Sequence, residues 1–253
     1  MVDGCGWLTL SQLDAGQAVA WLAQQNGRAK DSRMSPQTVA HYLTHLVAFG
    51  AWCVPQRLAS NPFAGIEKPQ ASTDRRHLRR VLTPNEFRRF IDATRAGVEF
   101  AHLSGEGRAA LYLVAAYTGL RLSECLALRR EDVTLVGSPT VTLDGRHAKN
   151  GQAATIPLPD WVAGELAPWI ARQTGRLWRD TINRQHRGAL AVRHDLRRAG
   201  IAYRDDRGRV FDFHSLRCYY AVELLLSGVP LVAVQKLMRH STPTLTANIY
   251  AQL

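Results

Sequence analysis

Thr118-Gly119-Leu120-Arg121-Leu122-Ser123-Glu124 is the stretch on which the fold of this 253-residue chain turns. Before it, Arg108 to Tyr117 is rich in Ala, Leu and Val and predicts a core helix. Gly119 is placed to end that helix, because glycine enters the left-handed region without a steric cost. A further helix starts near Ser123 and carries Leu126 and Leu128. Upstream, Thr83-Pro84-Asn85-Glu86 is a capping box with proline at the first helical position, flanked by Leu82 and Phe87 at the staple positions; its helix runs to about Gly97. Past Asp132 the period changes. Val133–Leu135, Thr140–Leu143 and Ala153–Leu158 read as short strands, and Asn150-Gly151, a hairpin signal, stands between the last two. Helix returns over Trp161–Thr174. Residues 172–209 are crowded with arginine and form a candidate phosphate face. His214–Ser227 and Leu231–Met238 are two more helices, joined at Gly228-Val229-Pro230. The expected fold is mainly α with a small antiparallel β-sheet.

The N-terminal part is helical throughout. Leu13, Val19, Ala20, Leu22 and Ala23 recur with weak helical spacing, and the polar run Asn26–Arg33 interrupts them. Ser35 can then cap, and Pro36 open, a helix that buries one face drawn from Val39, Tyr42, Leu43, Leu46, Val47 and Phe49, with Trp52 and Cys53 at its end. His41 and His45 lie one turn apart on it. With no third ligand near, they read as surface or DNA-facing residues and not as a metal pair. Asn61-Pro62-Phe63 turns the chain. The segment from Glu67 to Thr73 is polar, and Asp74-Arg75-Arg76-His77-Leu78-Arg79-Arg80 is a basic run with no buried face. Three parts follow: a helical domain over 1–67, a basic linker over 68–80 and an α+β domain over 81–253. Arg75, Arg76, Arg79 and Arg80 are either a solvated linker or a strip lying along a phosphate backbone.

Charge narrows the partner. The formal net charge is +11, and only four of the cations are lysines, Lys30, Lys68, Lys149 and Lys236. A GC-rich genome accounts for arginine over lysine but not for the excess over acids, which points to a polyanion. Arginine's planar fork suits phosphate. The four cysteines (Cys5, Cys53, Cys125, Cys218) are scattered and form no C-x-x-C pair, so they read as reduced core thiols in an intracellular protein. No apolar run is long enough for a membrane span, and no secretory signal opens the chain.

The usual phosphate chemistries have no sequence support. There is no G-x-x-x-x-G-K-[ST] loop, no H-E-x-x-H, no carboxylate cluster for paired metals and no G-x-S-x-G elbow. Chemistry on phosphate would then need fixed cations to neutralise the transition state and a side chain as nucleophile.

Arg121 and Glu124 in the opening stretch, Lys149 at the predicted hairpin, His214-Ser215-Leu216-Arg217, His240 and Tyr250 stand in an order, spacing and residue type that resemble the tyrosine recombinases, the phage integrase family. The resemblance covers nearly the whole chain, with residues 1–67 similar to that family's helical core-binding domain, incomplete at its N-terminus, and 81–253 similar to its catalytic domain. It implies that Tyr250 attacks the scissile phosphate, Arg121 and Arg217 clamp the non-bridging oxygens, and Lys149 protonates the leaving 5′-oxygen. It further implies that His214 and His240 act as acid/base and phosphate hydrogen-bonding partners, with Glu124 orienting the cations or His214. It implies no metal and no nucleotide cofactor. The implied partner is double-stranded DNA with specific sites, bound by a homotetramer that is monomeric when free, in a prokaryotic cytoplasm and associated with the nucleoid.

Each residue has a plainer reading alone. Arg121 and Glu124 could be a surface ion pair, Lys149 a turn lysine, and Arg217 a helix pair. Three departures from the family pattern stand out. His240 and Tyr250 are one residue further apart than usual, Arg239 replaces the usual glycine, and the sequence stops at Leu253 where many relatives continue. The expectation is therefore a segment over 244–253 that is mobile until DNA or a neighbouring subunit fixes it. Two alternatives stay open. One is an inactive or truncated DNA-binding derivative, using Ser215–Met238 as a helix-turn-helix. The other is a relaxation enzyme of the type IB topoisomerase kind.

Overall fold

Ser35 starts its helix where the sequence places it, accepting a hydrogen bond from the Thr38 amide at 3.1 Å with Pro36 in the first helical turn. The computed structural model describes residues 2–26, 34–55, 57–70, 78–148, 151–178, 187–240 and 242. The chain divides into Met1–His77 and Leu78–Leu253. The first unit holds α1 (Val2–Cys5), α2 (Ala15–Asn26) and α3 (Pro36–Cys53). Trp7 and Phe63 pack with ring centroids 5.9 Å apart around buried Ala18. Asn61 fastens the turn after α3 back onto it: its Nδ2 donates to Val47 O at 3.0 Å and its Oδ1 accepts from the Phe63 amide at 2.9 Å. A Cβ on Gly50 would sit 2.0 Å from Asn61 Oδ1, so only glycine lets that turn close.

The buried stripe of α3 is narrower than the apolar pattern suggests. Leu43, Gly50 and Cys53 are buried, whereas Tyr42, Phe49 and Trp52 are exposed, with Phe49 and Trp52 stacked on each other. Each exposed aromatic immediately precedes a buried residue and so lies roughly 100° round the helix from it, on the shoulder of the stripe.

The second unit is built around α5 (Gly105–Thr118), in which nearly every residue is buried. Against it pack α4 (Pro84–Arg95), α7 (Asp160–Ile170) and α9 (Phe213–Leu226). The Thr83 capping box forms as its sequence predicts, with the Glu86 amide donating to Thr83 Oγ1 at 3.2 Å and Glu86 Oε2 accepting from the Thr83 amide at 2.9 Å. Gly119 closes α5 at φ 63. After it come α6 (Leu122–Ala127) and a three-stranded antiparallel sheet, β1 (Val133–Thr134), β2 (Thr140–Leu143) and β3 (Ala154–Pro157), in the order β1-β2-β3. Val141 faces both Val133 and Ile156, and the three are buried.

One expectation needs correction. The β2–β3 link is longer than a two-residue hairpin turn: pairing stops at Leu143↔Ala154, a 3-10 turn, Gly145–His147, follows Asp144, and the Gly151 amide donates to Ala148 O at 3.0 Å. The cause is local, since Asp144 Oδ1 takes the Arg146 amide at 2.8 Å and starts that turn first. The arginine-rich 172–209 region contains an amphipathic helix, α8 (Arg187–Arg198). Ala191, Val192, Asp195 and Leu196 of α8 are buried, and Arg193, Arg197 and Arg198 point outward. The last helix described is α10 (Leu231–Leu237). Among the described residues no helix is long and apolar enough to cross a membrane. The expectation for 244–253 lies outside the described residues.

Candidate active site

Arg121 is placed by two neighbours. Gly119 turns the chain out of α5, and Arg121 then takes the extended N-cap position of α6. Glu124, one turn in, reaches back. Its Oε2 accepts from the Arg121 amide and its Oε1 from Arg121 Nη1, both at 2.9 Å. This is no surface pair, because the Glu124 side chain is 2% exposed against 31% for Arg121. Burial alone would raise the Glu124 carboxyl. The Arg121 amide bond and the charges of Arg239 and Arg121 outweigh it and hold the group below the ordinary carboxylate range.

Arg217 comes from the second turn of α9 and is buried. Its Nη1 donates to the carbonyl of Gly119 and its Nη2 to the carbonyl of Met238, so one guanidinium ties the turn after α5 to the turn after α10. A guanidinium has five donors, and two such bonds leave others for a phosphate. Burial first, then the charges of Arg121 and Arg239, pull the Arg217 pKa down to about 10.

The two histidines complete the cluster. Asp212 caps α9 through the Ser215 amide at 3.0 Å and sets His214 in the first turn. Dehydration and the charges of Arg79 and Arg217 push the His214 imidazole down to about 4. His240 follows α10, its amide bonded to Gln235 O at 3.1 Å. Burial, Arg217, Arg121 and His214 bring its imidazole to about 4 as well. Five residues thus meet: Arg121, Glu124, His214, Arg217 and His240.

Both histidines are neutral near pH 7 in the free protein, and this has a stability consequence. A folded-state pKa below the unfolded one means the unfolded chain takes up protons first as pH falls. Stability is therefore full above about 6.5 and falls between about 6.5 and 4. The expected result is a melting temperature that declines through this window, with a shallower decline in a His214→Gln, His240→Gln double variant. An equal slope in the two proteins would refute it.

The other expected site residues fall elsewhere. Arg79 Nε pairs with both Asp212 oxygens, at 2.9 and 3.0 Å, and so braces the cap beside His214. Arg80 pairs with Glu86 at 3.1 Å. Both run beside Val210 in the second unit, with Arg80 N donating to Val210 O at 3.0 Å. Residues 78–80 are therefore paired chain and not open linker. His41 and His45 are exposed on α3 in the first unit. Lys149, Tyr250, Arg75 and Arg76 lie outside the described residues. The helix-turn-helix reading of 215–238 falls on α9, buried along most of its length, and on α10, where Val234 is buried. Sequence reasoning missed the Asp212–Ser215 cap. The signal was present as an acidic N-cap directly before an apolar run.

A family model described as the phage integrase family matches residues 80–253. A protein named tyrosine recombinase XerC, from Xanthomonas campestris pv. campestris (strain B100), is 29% identical over 246 residues, spanning 96% of this chain and 71% of its own. Its namesake in Mycobacterium bovis (strain BCG / Pasteur 1173P2) is 31% identical over 256 residues, spanning 97% and 79%. Among solved structures, XerH site-specific recombinase bound to difH substrate superposes with a TM-score of 0.70 at 19% identity, over 96% of this chain and 68% of that one. The Tn1549 transposon integrase in complex with transposon right end DNA gives 0.65 at 17% identity, over 96% and 82%.

Proposed function

The chain belongs to the phage integrase family of tyrosine recombinases, and from that premise we propose that it cuts and rejoins double-stranded DNA at specific sites through a covalent tyrosine link. The Tyr250 oxygen attacks a phosphodiester phosphorus, and the bond to the 5′-oxygen breaks. The products are a 3′-phosphotyrosine and a free 5′-hydroxyl. The bond energy stays in the link, so religation needs no nucleotide. The tyrosine proton passes to a neutral histidine, and Lys149 supplies a proton to the leaving oxygen. Arg121 and Arg217 neutralise the non-bridging oxygens in the five-coordinate state. Strand exchange then needs four active sites, hence a homotetramer assembled on two DNA duplexes.

The single observation that carries this reading is the meeting of Arg121, Arg217, His214 and His240 around buried Glu124. Two guanidinium cations and two neutral imidazoles suit a phosphate that gains charge in its transition state. The test is covalent capture on nicked duplexes tiled across the DNA flanking the gene. Wild type is expected to give a protein–DNA adduct that survives denaturant, and Tyr250→Phe none. An adduct of ordinary yield with the phenylalanine variant would overturn the proposal.

A further inference from the structure

Arg239 occupies a backbone position made for glycine. Its φ is 52, and the hydrogen bonds around it close α10 in a Schellman turn, Arg239 N to Lys236 O at 2.9 Å and His240 N to Gln235 O at 3.1 Å. A left-handed arginine is strained, so its side chain must return something to the fold. The side chain folds inward to 9% exposure, and its Nη2 meets Glu124 Oε2 at 2.9 Å. Nε and Nη1 are buried with no hydrogen-bond partner among the described residues. Glu124 therefore holds two guanidinium groups, Arg121 on Oε1 and Arg239 on Oε2.

We propose that Arg239 is a positioning residue of the active site, sharing the Glu124 carboxylate so that Arg121 keeps its positive charge for phosphate; this rests on the cleavage reading above. With glycine at 239, Glu124 and Arg121 would form a neutral pair, and an incoming phosphate would compete with the carboxylate for the arginine. With Arg239 present, the three groups carry one net positive charge. The same contact latches the turn bearing His240 to the helix start bearing Arg121. The two nitrogens without a partner among the described residues fit this role, because the guanidinium is retained for its charge and its one ion pair and not for a saturated hydrogen-bond set.

Arg239→Gly suits the backbone and removes the charge; Arg239→Asn is neutral and also tolerates the left-handed region; Arg239→Lys keeps the charge. Each is compared with wild type in adduct formation on the tiled nicked duplexes, in duplex affinity by mobility shift, and in the NMR titration of the Glu124 carboxyl. Glycine and asparagine are expected to slow adduct formation about 10–100-fold, with affinity within about threefold, and to move the Glu124 midpoint upward. Lysine is expected to recover most of both. Wild-type cleavage by the glycine and asparagine variants would overturn the proposal, as would an unmoved Glu124 titration. If no protein forms an adduct, wild type included, the cleavage reading falls and the titration alone decides the role of Arg239.

Discussion

Lysine in place of Arg217 is expected to slow covalent attachment to DNA by about 10²–10³-fold, the loss that removal of one transition-state donor typically brings. The charge would be kept, so the loss would come from geometry. Arg217 is held by the carbonyls of Gly119 and Met238 on opposite sides of the site. A lysine ammonium is a point charge on a flexible stem and cannot span both carbonyls while facing a phosphate. Alanine would add a second defect. It leaves the two carbonyls without their donor inside the protein, at about 1–3 kcal/mol for each unsatisfied group. The lysine variant is therefore the cleaner probe. Single-turnover adduct accumulation reads the rate, and a mobility shift at fixed salt reads binding, which is expected to change little because phosphate contacts elsewhere dominate affinity. A rate within a few fold of wild type would mean that Arg217 serves only to tie the two turns together.

Local rules carried the sequence a long way here. Gly119, the Thr83 capping box and Ser35-Pro36 each depend on residues within one helical turn, and each forms as read. The phage integrase family follows from motif order alone, since that order survives any error in element boundaries. What stayed hidden depends on contacts between distant segments. Asp195 and Arg108 are 87 positions apart, and nothing at either position announces the other. Arg239 and Glu124 are 115 apart, and the departure from glycine was visible without its reason. On α3 the apolar pattern was wider than the buried stripe, because aromatic residues also serve on helix shoulders. Arg79 and Arg80 read as free cations since their acids, Asp212 and Glu86, become partners only once the strip beside Val210 forms.

Asparagine at position 195 is expected to cost about 3–5 kcal/mol of stability, the penalty for leaving one member of a buried ion pair uncompensated. Arg108 and Asp195 are both fully buried, joined by two hydrogen bonds of 2.9 Å. Other polar groups join them, His194 Nδ1 among them at 3.1 Å from Asp195 Oδ1. Tyr112 Oη donates to Asp195 at 3.0 Å, and Arg108 Nη1 donates to Leu103 O at 2.7 Å and Val98 O at 3.1 Å. The pair thus joins α5 to α8 and anchors the loop between α4 and α5. Asparagine has nearly the same shape, so packing survives while the negative charge is lost. Arg108 then remains as a buried cation with neutral neighbours. For a unit of this size the melting temperature is expected to fall by roughly 6–20 °C. Replacing both residues, with Arg108→Met and Asp195→Leu, removes the uncompensated charge and is expected to recover part of the loss. Recovery stays incomplete because the Tyr112 hydroxyl and two carbonyls lose their partners. Urea unfolding of the three proteins measures this directly. A double variant less stable than Asp195→Asn would mean that the pair's worth lies in its hydrogen bonds to the loop and not in charge compensation.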